Sequence, residues 1–477
     1  MLRTPLFENS TELTDEALNA LRSRLNGELL LPGEPGYDEA RLAWNRKVVQ
    51  HPRLIVVAKF AQDLITAVTF ARQNGLGVAV QATGHGNVRP ADDCLLILTK
   101  DMDNVEIDPV RQTARVEAGT QWGKVLAATQ EHGLAPLLGS SPTVGAIGYT
   151  LGGGLGWLGR KYGLSTDNVL QFEIVTSDGL LRTVSSTEHS DLFYGLRGGG
   201  GSLGVIASMT VRLFPVSRVY AGNLFYPVSL AKDVFRRYRD WIVDAPDELT
   251  TSVLVMNFPP IPHLPDILRG QTFVMVRGCY CGDQAEGESL MRYWRDWQAP
   301  LIDDFKVIPF SEAATISNDP VDPMPGFNTG VWLRQLSDSA IDAIVDYAVG
   351  VNGPSPLAFA EVRHAGGAIQ RVSGDTAVYG NRNAELILSI IGAAPSQDAH
   401  QHLVDYTDSL KEALQPDLTG GVYMNFLEGA ESRGRLRDGL APGGYERLAS
   451  LKAKYDPDNI FRFSFNVAPE DAAQAKV

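Results

Sequence analysis

The residue that most invites chemistry is His85, near the end of the loop Gln81-Ala82-Thr83-Gly84-His85-Gly86. A neutral imidazole held close and oriented by crowded backbone serves as a nucleophile or proton carrier near neutral pH. Glycine marks a second candidate region. It is dense from Gly145 to Gly204, with Gly152-Gly153-Gly154 and Gly198-Gly199-Gly200-Gly201 inside. Such glycine is costly unless backbone must turn with positive φ or approach something closely. Two segments there, Gly154–Gly159 and Gly199–Gly204, match G-x-G-x-x-G. A nicotinamide site needs a strand before that pattern and a helix opening on it. The first runs on into a glycine-broken stretch and the second directly into an apparent strand, Val205–Leu213. The alternative is several loops jointly lining an extended ligand, since concave backbone N–H groups suit pyrophosphate. Farther along, Glu361 and Arg363 share one face if they lie on a strand, and His364 adjoins them. A charge there binds or deprotonates a small molecule, or is simply a surface ion pair.

The elements that must position these residues read as follows. Leu54–Val57 is a strand, Gln62–Asn74 a helix with Leu64, Ala67, Val68 and Ala71 on one face, and Gly77–Val80 a returning strand. His85 sits in the loop leaving that βαβ unit. A second strand–helix pair follows (Thr113–Glu117, Gln121–His132), then a hairpin of Val169–Val175 and Leu180–Val184 about Ser177-Asp178-Gly179. From about Val216 to Pro416, strand-like runs (Val253–Met256, Phe273–Val276, Val331–Leu333, Leu386–Ile391) alternate with helical ones (Ala231–Trp241, Ala285–Trp297, Ser337–Val349). That implies a mostly antiparallel sheet covered by helices. A last helix, Gly444–Tyr455, precedes Asp456-Pro457-Asp458-Asn459 and an aromatic tail.

At 477 residues the chain exceeds the roughly 250–300 at which one core stops growing, so two domains are expected. A net charge of −14 argues against nucleic acid or an anionic membrane as partner. Hydrophobic residues at 44% with 21% charged are those of an ordinary folded protein. No run of about eighteen apolar residues offers a membrane span, and the N-terminus has no apolar signal core. Three cysteines (Cys94, Cys279, Cys281) fit a reducing compartment better than a disulfide framework, so a cytoplasmic location is expected. Cys279 and Cys281 lack companions for a metal site, and no metal is expected. Asn9-Ser10-Thr11 matches a glycosylation acceptor but carries little weight without a secretory signal.

One ordered series of motifs unites these observations. His85, Ser141-Pro142-Thr143-Val144-Gly145, Gly148, Gly152–Trp157, Lys161–Leu164 and Asp167-Asn168 come first. Asp191–Tyr194, Arg197–Gly201, Gly366-Gly367-Ala368 and Tyr455–Asn459 follow. The series strongly resembles the FAD-linked oxidases of the berberine bridge enzyme type, within the vanillyl-alcohol oxidase superfamily, over nearly the whole chain. The resemblance implies an α+β, PCMH-type FAD-binding domain from residues 1–215, completed by 417–477. A substrate domain, 216–416, is inserted between them, with FAD in the seam.

The resemblance also implies roles. His85 would bond covalently to the flavin 8α-methyl, although this loop has Gln81, Ala82 and Thr83 where the family commonly has arginine and small residues. Many relatives add a cysteine tether where this chain has Ser141, a poor nucleophile, so the FAD would be monocovalent. Further cofactor contacts would come from Ala82, Thr83, Gly84 and Gly86 around His85, and from Ser140, Gly145, Gly148, Gly152, Gly153, Gly154, Gly156 and Trp157. Gly204, Val205, Asn425, Asn459 and Asn466 complete them. Val144 matches a position where small valine goes with oxygen access; Tyr149 would donate a hydrogen bond to reduced flavin, or simply pack. Tyr423-Met424-Asn425-Phe426 resembles a family Tyr-x-Asn-Tyr segment, with Phe426 lacking the second hydroxyl. The candidate catalytic residues are therefore Tyr423, Glu361 and His364.

The expected reaction is hydride transfer from a C–H bond beside oxygen or nitrogen of a small organic substrate (alcohol, sugar or amine). Electrons would pass to O₂ as acceptor, giving H₂O₂. The alternatives are a dehydrogenase of the same fold using another acceptor, an oxidative cyclase of secondary metabolism, a nicotinamide dehydrogenase, and a non-catalytic binding protein.

Overall fold

A computed structural model of the chain describes residues 13–86 and 88–469; the Asn9-Ser10-Thr11 motif lies outside them. Three sheets organise the molecule. The first is four-stranded, in the order Glu28–Leu30, Leu54–Val57, Leu95–Leu98, Val78–Gln81, the last three parallel. The helix Ala61–Gln73 crosses between parallel strands, and its Leu64, Ala67, Val68 and Ala71 are fully buried as their spacing predicts. Asp63 holds its start by accepting from the N–H groups of Asn26, Lys59 and Phe60. The βαβ unit is real but not closed on itself, because Leu95–Leu98 inserts between its two strands.

The second sheet is antiparallel, in the order Val105–Asp108, Thr113–Glu117, Val205–Arg212, Val169–Val175, Leu181–Ser185. The hairpin about Ser177–Gly179 forms as read. The second glycine fingerprint does run into the strand Val205–Arg212, while the first precedes a helix of only four residues, Gly159–Tyr162. Neither opens a dinucleotide-binding βαβ unit.

The third sheet is large and wholly antiparallel. Its path is Ile302–Asp303, Arg218–Pro227, Thr272–Tyr280, Leu249–Asn257, Leu357–His364, Leu386–Ala393, Gly326–Leu333. Lys306–Pro309 also pairs with Arg218–Pro227. Strand alternation sends Leu224, Tyr226, Val253, Val255, Val274, Val276, Ala360 and Val362 to one face. There they bury against the helices Ala231–Trp241, Gln284–Arg295, Asp338–Val349 and Gln397–Ala413. The intervening residues face the other way, toward the two smaller sheets. That face is where the chemistry gathers.

The C-terminal helix Gly444–Tyr455 packs into the core shared by the second sheet. Lys452 and Asp456 form a fully buried ion pair at 2.6 Å, and Lys452 Nζ also donates to the carbonyl of Ser202 at 2.7 Å. Asp456 accepts from the N–H groups of Ile460 and Phe461. The Asp-Pro-Asp-Asn motif thus ties the tail to the glycine-rich stretch. Among the described residues no helix is long and apolar enough to cross a membrane.

Candidate active site

A cavity of about 1440 Å³ opens between the large sheet and the glycine-rich loops. That exceeds the roughly 300–1,000 Å³ of an ordinary small-molecule site, leaving room for an extended cofactor and a substrate together. One wall is built from Gln81–Gly86, Ser140-Ser141, Val144-Gly145, Gly148-Tyr149, Gly152 and Gly204-Val205. The opposite wall is the open face of the large sheet, with Asn223, Arg277 and Arg363. Tyr423 and Asn425 join the two.

His85 follows directly from its loop. Gly84 has φ +78°, and a Cβ there would stand 2.7 Å from that of Ala43, so only glycine lets the chain turn so closely. The carbonyls of Thr83 and Gly84 accept from the N–H groups of Trp44 and Asn45 at 3.0 and 3.1 Å. The imidazole is bracketed by hydroxyls: Nδ1 is 2.8 Å from Thr83 Oγ1, and Nε2 is 3.2 Å from Thr143 Oγ1. Thr143 Oγ1 in turn lies 3.1 Å from Ser141 Oγ. Burial pushes the imidazole pKa down to about 4, so the ring is neutral at neutral pH. A neutral imidazole with a lone pair on one nitrogen is the form that alkylates.

Tyr423 is pinned by donors. Its hydroxyl oxygen accepts from the N–H of Leu155 at 2.9 Å, that of Gly154 at 3.2 Å and Asn425 Nδ2 at 3.0 Å. Burial pushes its phenol pKa up, against the pull of those donors and of Arg363. Asn425 also donates to the carbonyl of Tyr149 at 2.9 Å, and Gly152 makes room for it: a Cβ there would lie 1.9 Å from Asn425 Oδ1. The Tyr149 hydroxyl and Ser464 Oγ are both buried on the cavity wall without a hydrogen-bond partner among the described residues.

Several expected residues stand elsewhere. Glu361 does lie on a strand beside Arg363, but it is fully buried beneath the cavity wall. Burial alone would raise its pKa, yet Arg363, Arg277 and Ser252 hold it below the usual carboxylate value, making it a fixed counter-ion and not a base. His364 points to the other face, where Nε2 accepts from Arg160 at 2.9 Å; burial, then the Arg160 charge, press its pKa to about 3. It does not line the cavity. Gly153, Gly154 and Gly156 sit behind the wall, packed against Tyr379, Ser165 with Tyr149, and the Leu138 carbonyl. Trp157 is core. Asn459 holds a turn with φ +50°. It and Asn466 lie off the wall, which the tail reaches through Phe463, Ser464 and Phe465 instead. Conversely, Trp44 and Arg277 are on the wall and give no local sequence signal.

This arrangement fits FAD on its own terms: a dinucleotide-sized cavity, open space where Gly86 and Gly148 lack side chains, and orphaned polar atoms on the wall. Fold and site define a flavin-dependent oxidoreductase. Residues 52–185 match the FAD binding domain family model, and residues 441–468 match the model described as berberine and berberine like. An uncharacterized FAD-linked oxidoreductase of Bacillus subtilis is 28% identical, covering 94% of this chain and 98% of its own length. The (R)-6-hydroxynicotine oxidase of Paenarthrobacter nicotinovorans is 26% identical, covering 94% and 97%. Among solved structures, Physcomitrella patens BBE-like 1 superposes with a TM-score of 0.81 at 21% identity, covering 95% and 99%. A xylooligosaccharide oxidase from Myceliophthora thermophila gives 0.81 at 19%, covering 96% and 99%. The chain thus carries an FAD binding domain and a berberine and berberine like segment, and the relatives it matches are FAD-linked oxidoreductases.

Proposed function

We propose that the protein is an oxidase that carries its FAD on a single covalent bond from His85. Its substrate is a small organic molecule oxidised at a C–H bond next to oxygen or nitrogen. Bound there, FAD supplies hydride acceptance at N5 and reoxidation by O₂ to H₂O₂. Residues 1–215 with 417–477 form the cofactor-holding part, and 216–416 present the substrate.

The observation that carries this reading is His85: a neutral imidazole on the wall of a dinucleotide-sized cavity, each nitrogen within reach of a threonine hydroxyl. Those hydroxyls orient the ring and accommodate either tautomer. Ser141 stands close by but brings a hydroxyl, too weak a nucleophile for a second tether. Val144 lines the cavity, at the position where the resemblance associates a small valine with oxygen access. Tyr149 has an unpartnered hydroxyl to donate, and Tyr423 presents a phenol whose oxygen already holds three donors.

The test is an absorbance spectrum followed by acid precipitation of the purified protein. A yellow pellet is expected. A yellow supernatant refutes the tether, and a colourless preparation refutes the flavoenzyme reading itself.

A further inference from the structure

The open face of the large sheet is graded. Its register sets Asn223, Arg277, Ser252 and Arg363 side by side in one cross-strand row. The next row holds Phe225, Met275, Leu254 and Glu361, and the row after that Phe273, Met256, Phe359 and Ile391. Rows on one face are two residues apart, roughly 7 Å, so the wall passes from charged to apolar within about 14 Å. A loop borders the apolar end. It is closed by the Phe258 N–H, which donates to the Gln271 carbonyl at 2.9 Å, and it brings Leu264 and Leu268 to the cavity. The Phe258 ring fastens this loop to the sheet, stacked 6.4 Å from Phe225 and edge-on 6.0 Å from Phe273.

The charged row is balanced within its own surroundings. Glu361 Oε2 accepts from Arg363 Nε at 2.6 Å; Oε1 accepts from Arg277 Nη1 at 3.3 Å and Ser252 Oγ at 2.7 Å. Asp319, which accepts from Ser140, adds a second negative charge that acts on Arg363. Two guanidiniums therefore meet two carboxylates. Asp304, bound by the Asn223 N–H, has the Lys306 charge near it. Polar side chains around the apolar rows are engaged as well. Thr272 donates to Asn257 Oδ1 at 2.7 Å, and Asn257 Nδ2 to the carbonyls of Ala348 and Leu357 at 2.9 Å each. Ser355 donates to the Tyr347 carbonyl at 2.8 Å. Asn328, paired with Ile391, keeps one buried amide oxygen without a partner among the described residues, too little for a ring of hydroxyls. By contrast Met256, Phe258, Leu268, Phe359 and Ile391 line the cavity only half-buried. What this end of the cavity leaves unmet is apolar surface.

We propose that the substrate is an alcohol or amine, bound uncharged, with an extended apolar body. The body lies along Phe359, Met256 and Ile391 toward Leu268, and covering that surface drives its binding. The reacting end falls at the charged row beside Tyr423, since Arg363 stands 5.3 Å over the Phe426 ring, itself 4.8 Å from the Tyr423 ring. A polyhydroxylated sugar fits this wall poorly, because each hydroxyl buried there without a partner carries a desolvation penalty. The inference rests on the proposal that substrate is oxidised in this cavity.

Binding of unreactive analogues tests it without requiring turnover. Holoenzyme is titrated with 3-phenylpropanamide, 4-phenylbutanamide, 5-phenylpentanamide, 5-phenylpentanoate and cellobiose, read by calorimetry and by the shift in bound-flavin absorbance. Each added methylene of the amides is expected to tighten binding about threefold, as burial of a CH₂ group should. The acid should bind no tighter than its amide, because the charged row is already balanced. Cellobiose should bind more weakly than any of the amides. Met256→Glu should flatten the series and Met256→Leu keep it. A flat amide series in the wild type, or tighter binding of the acid or of cellobiose, overturns the inference whether or not the variants fold. A yellow protein with a flat series refutes this inference alone; a chain that purifies without flavin removes both it and the reading beneath it.

Discussion

The Trp44 indole lies flat against the His85 imidazole, ring centroids 4.3 Å apart and planes 15° from parallel. Forty-one residues upstream in sequence, Trp44 is held there by its backbone N–H, which donates to the carbonyl of Thr83 in the His85 loop, and by its indole N–H, which donates to the carbonyl of Val321. Stacking on one face and threonine hydroxyls at both ring nitrogens leave the imidazole little rotational freedom. Orientation of this kind is what turns a weak neutral nucleophile into an effective one.

His85→Ala should therefore move all yellow colour from the acid pellet to the supernatant. Trp44→Ala, which keeps the nucleophile and loosens it, should slow covalent incorporation by about tenfold or more in apoprotein mixed with FAD. Denaturing gels viewed under flavin fluorescence follow both. Retention of pellet colour by His85→Ala would refute the attachment point.

Val144 governs the second expectation. It lies half-buried on the cavity wall beside Gly145, where an added Cβ would already come within 3.3 Å of Ala82. With so little clearance nearby, Val144→Leu should obstruct a small gas more than a substrate entering from the sheet side. Reoxidation by O₂ should slow by about two orders of magnitude, roughly 2.7 kcal/mol in barrier, while turnover with an artificial dye acceptor persists. Stopped-flow reoxidation of the reduced enzyme distinguishes the two, and an unchanged oxygen rate would remove Val144 from the argument.

How much of this was legible beforehand depends on the kind of signal. The strand Val169–Val175 and the helix Ala231–Trp241 were readable to the residue, because period-2 and period-3.6 patterns are local. The place of Leu95–Leu98 between two other strands was not, since parallel order is a tertiary choice. The glycine density from Gly145 to Gly204 took in Gly145, Gly148, Gly152 and Gly204 on the cavity wall, yet it equally takes in Gly153, Gly154 and Gly156, which serve packing behind it. Glycine reports that something comes close and is silent on what. Arg277 carries no local mark either; only the register of three strands brings it to the carboxylate of Glu361. The Glu361–Arg363 pairing was readable from i, i+2 spacing, but its burial, which removes Glu361 as a base, depends on the strands around it.

Tyr423 gives a pH signature. Its phenol is shifted above the usual value of about 10 by burial. If it accepts the proton of an alcohol substrate, kcat/KM should climb about tenfold per pH unit and not level off below roughly pH 10. Tyr423→Phe should lose that slope and about two to four orders of magnitude for the alcohol. An amine already neutral should lose less than about tenfold, because it has no hydroxyl proton to give up. A flat wild-type profile with an alcohol substrate excludes Tyr423 as the base.

His364, displaced from any catalytic part, has instead a consequence for stability. Its folded pKa of about 3 lies below the unfolded value of 6.5, so the folded chain binds fewer protons between those limits. Above about pH 6.5 nothing is lost; as pH falls through that value the unfolded state gains a proton the native state resists. The penalty grows by about 1.4 kcal/mol per pH unit, reaching about 2 kcal/mol near pH 5. His364→Gln retains an acceptor for Arg160 without a titrating ring, so the variant should lose that much less stability than wild type on acidification. His85, also depressed to about 4, contributes equally to both proteins and cancels in the difference. Urea unfolding at neutral pH and near pH 5 measures it, and parallel losses in the two proteins would show that His364 does not control the acid limb.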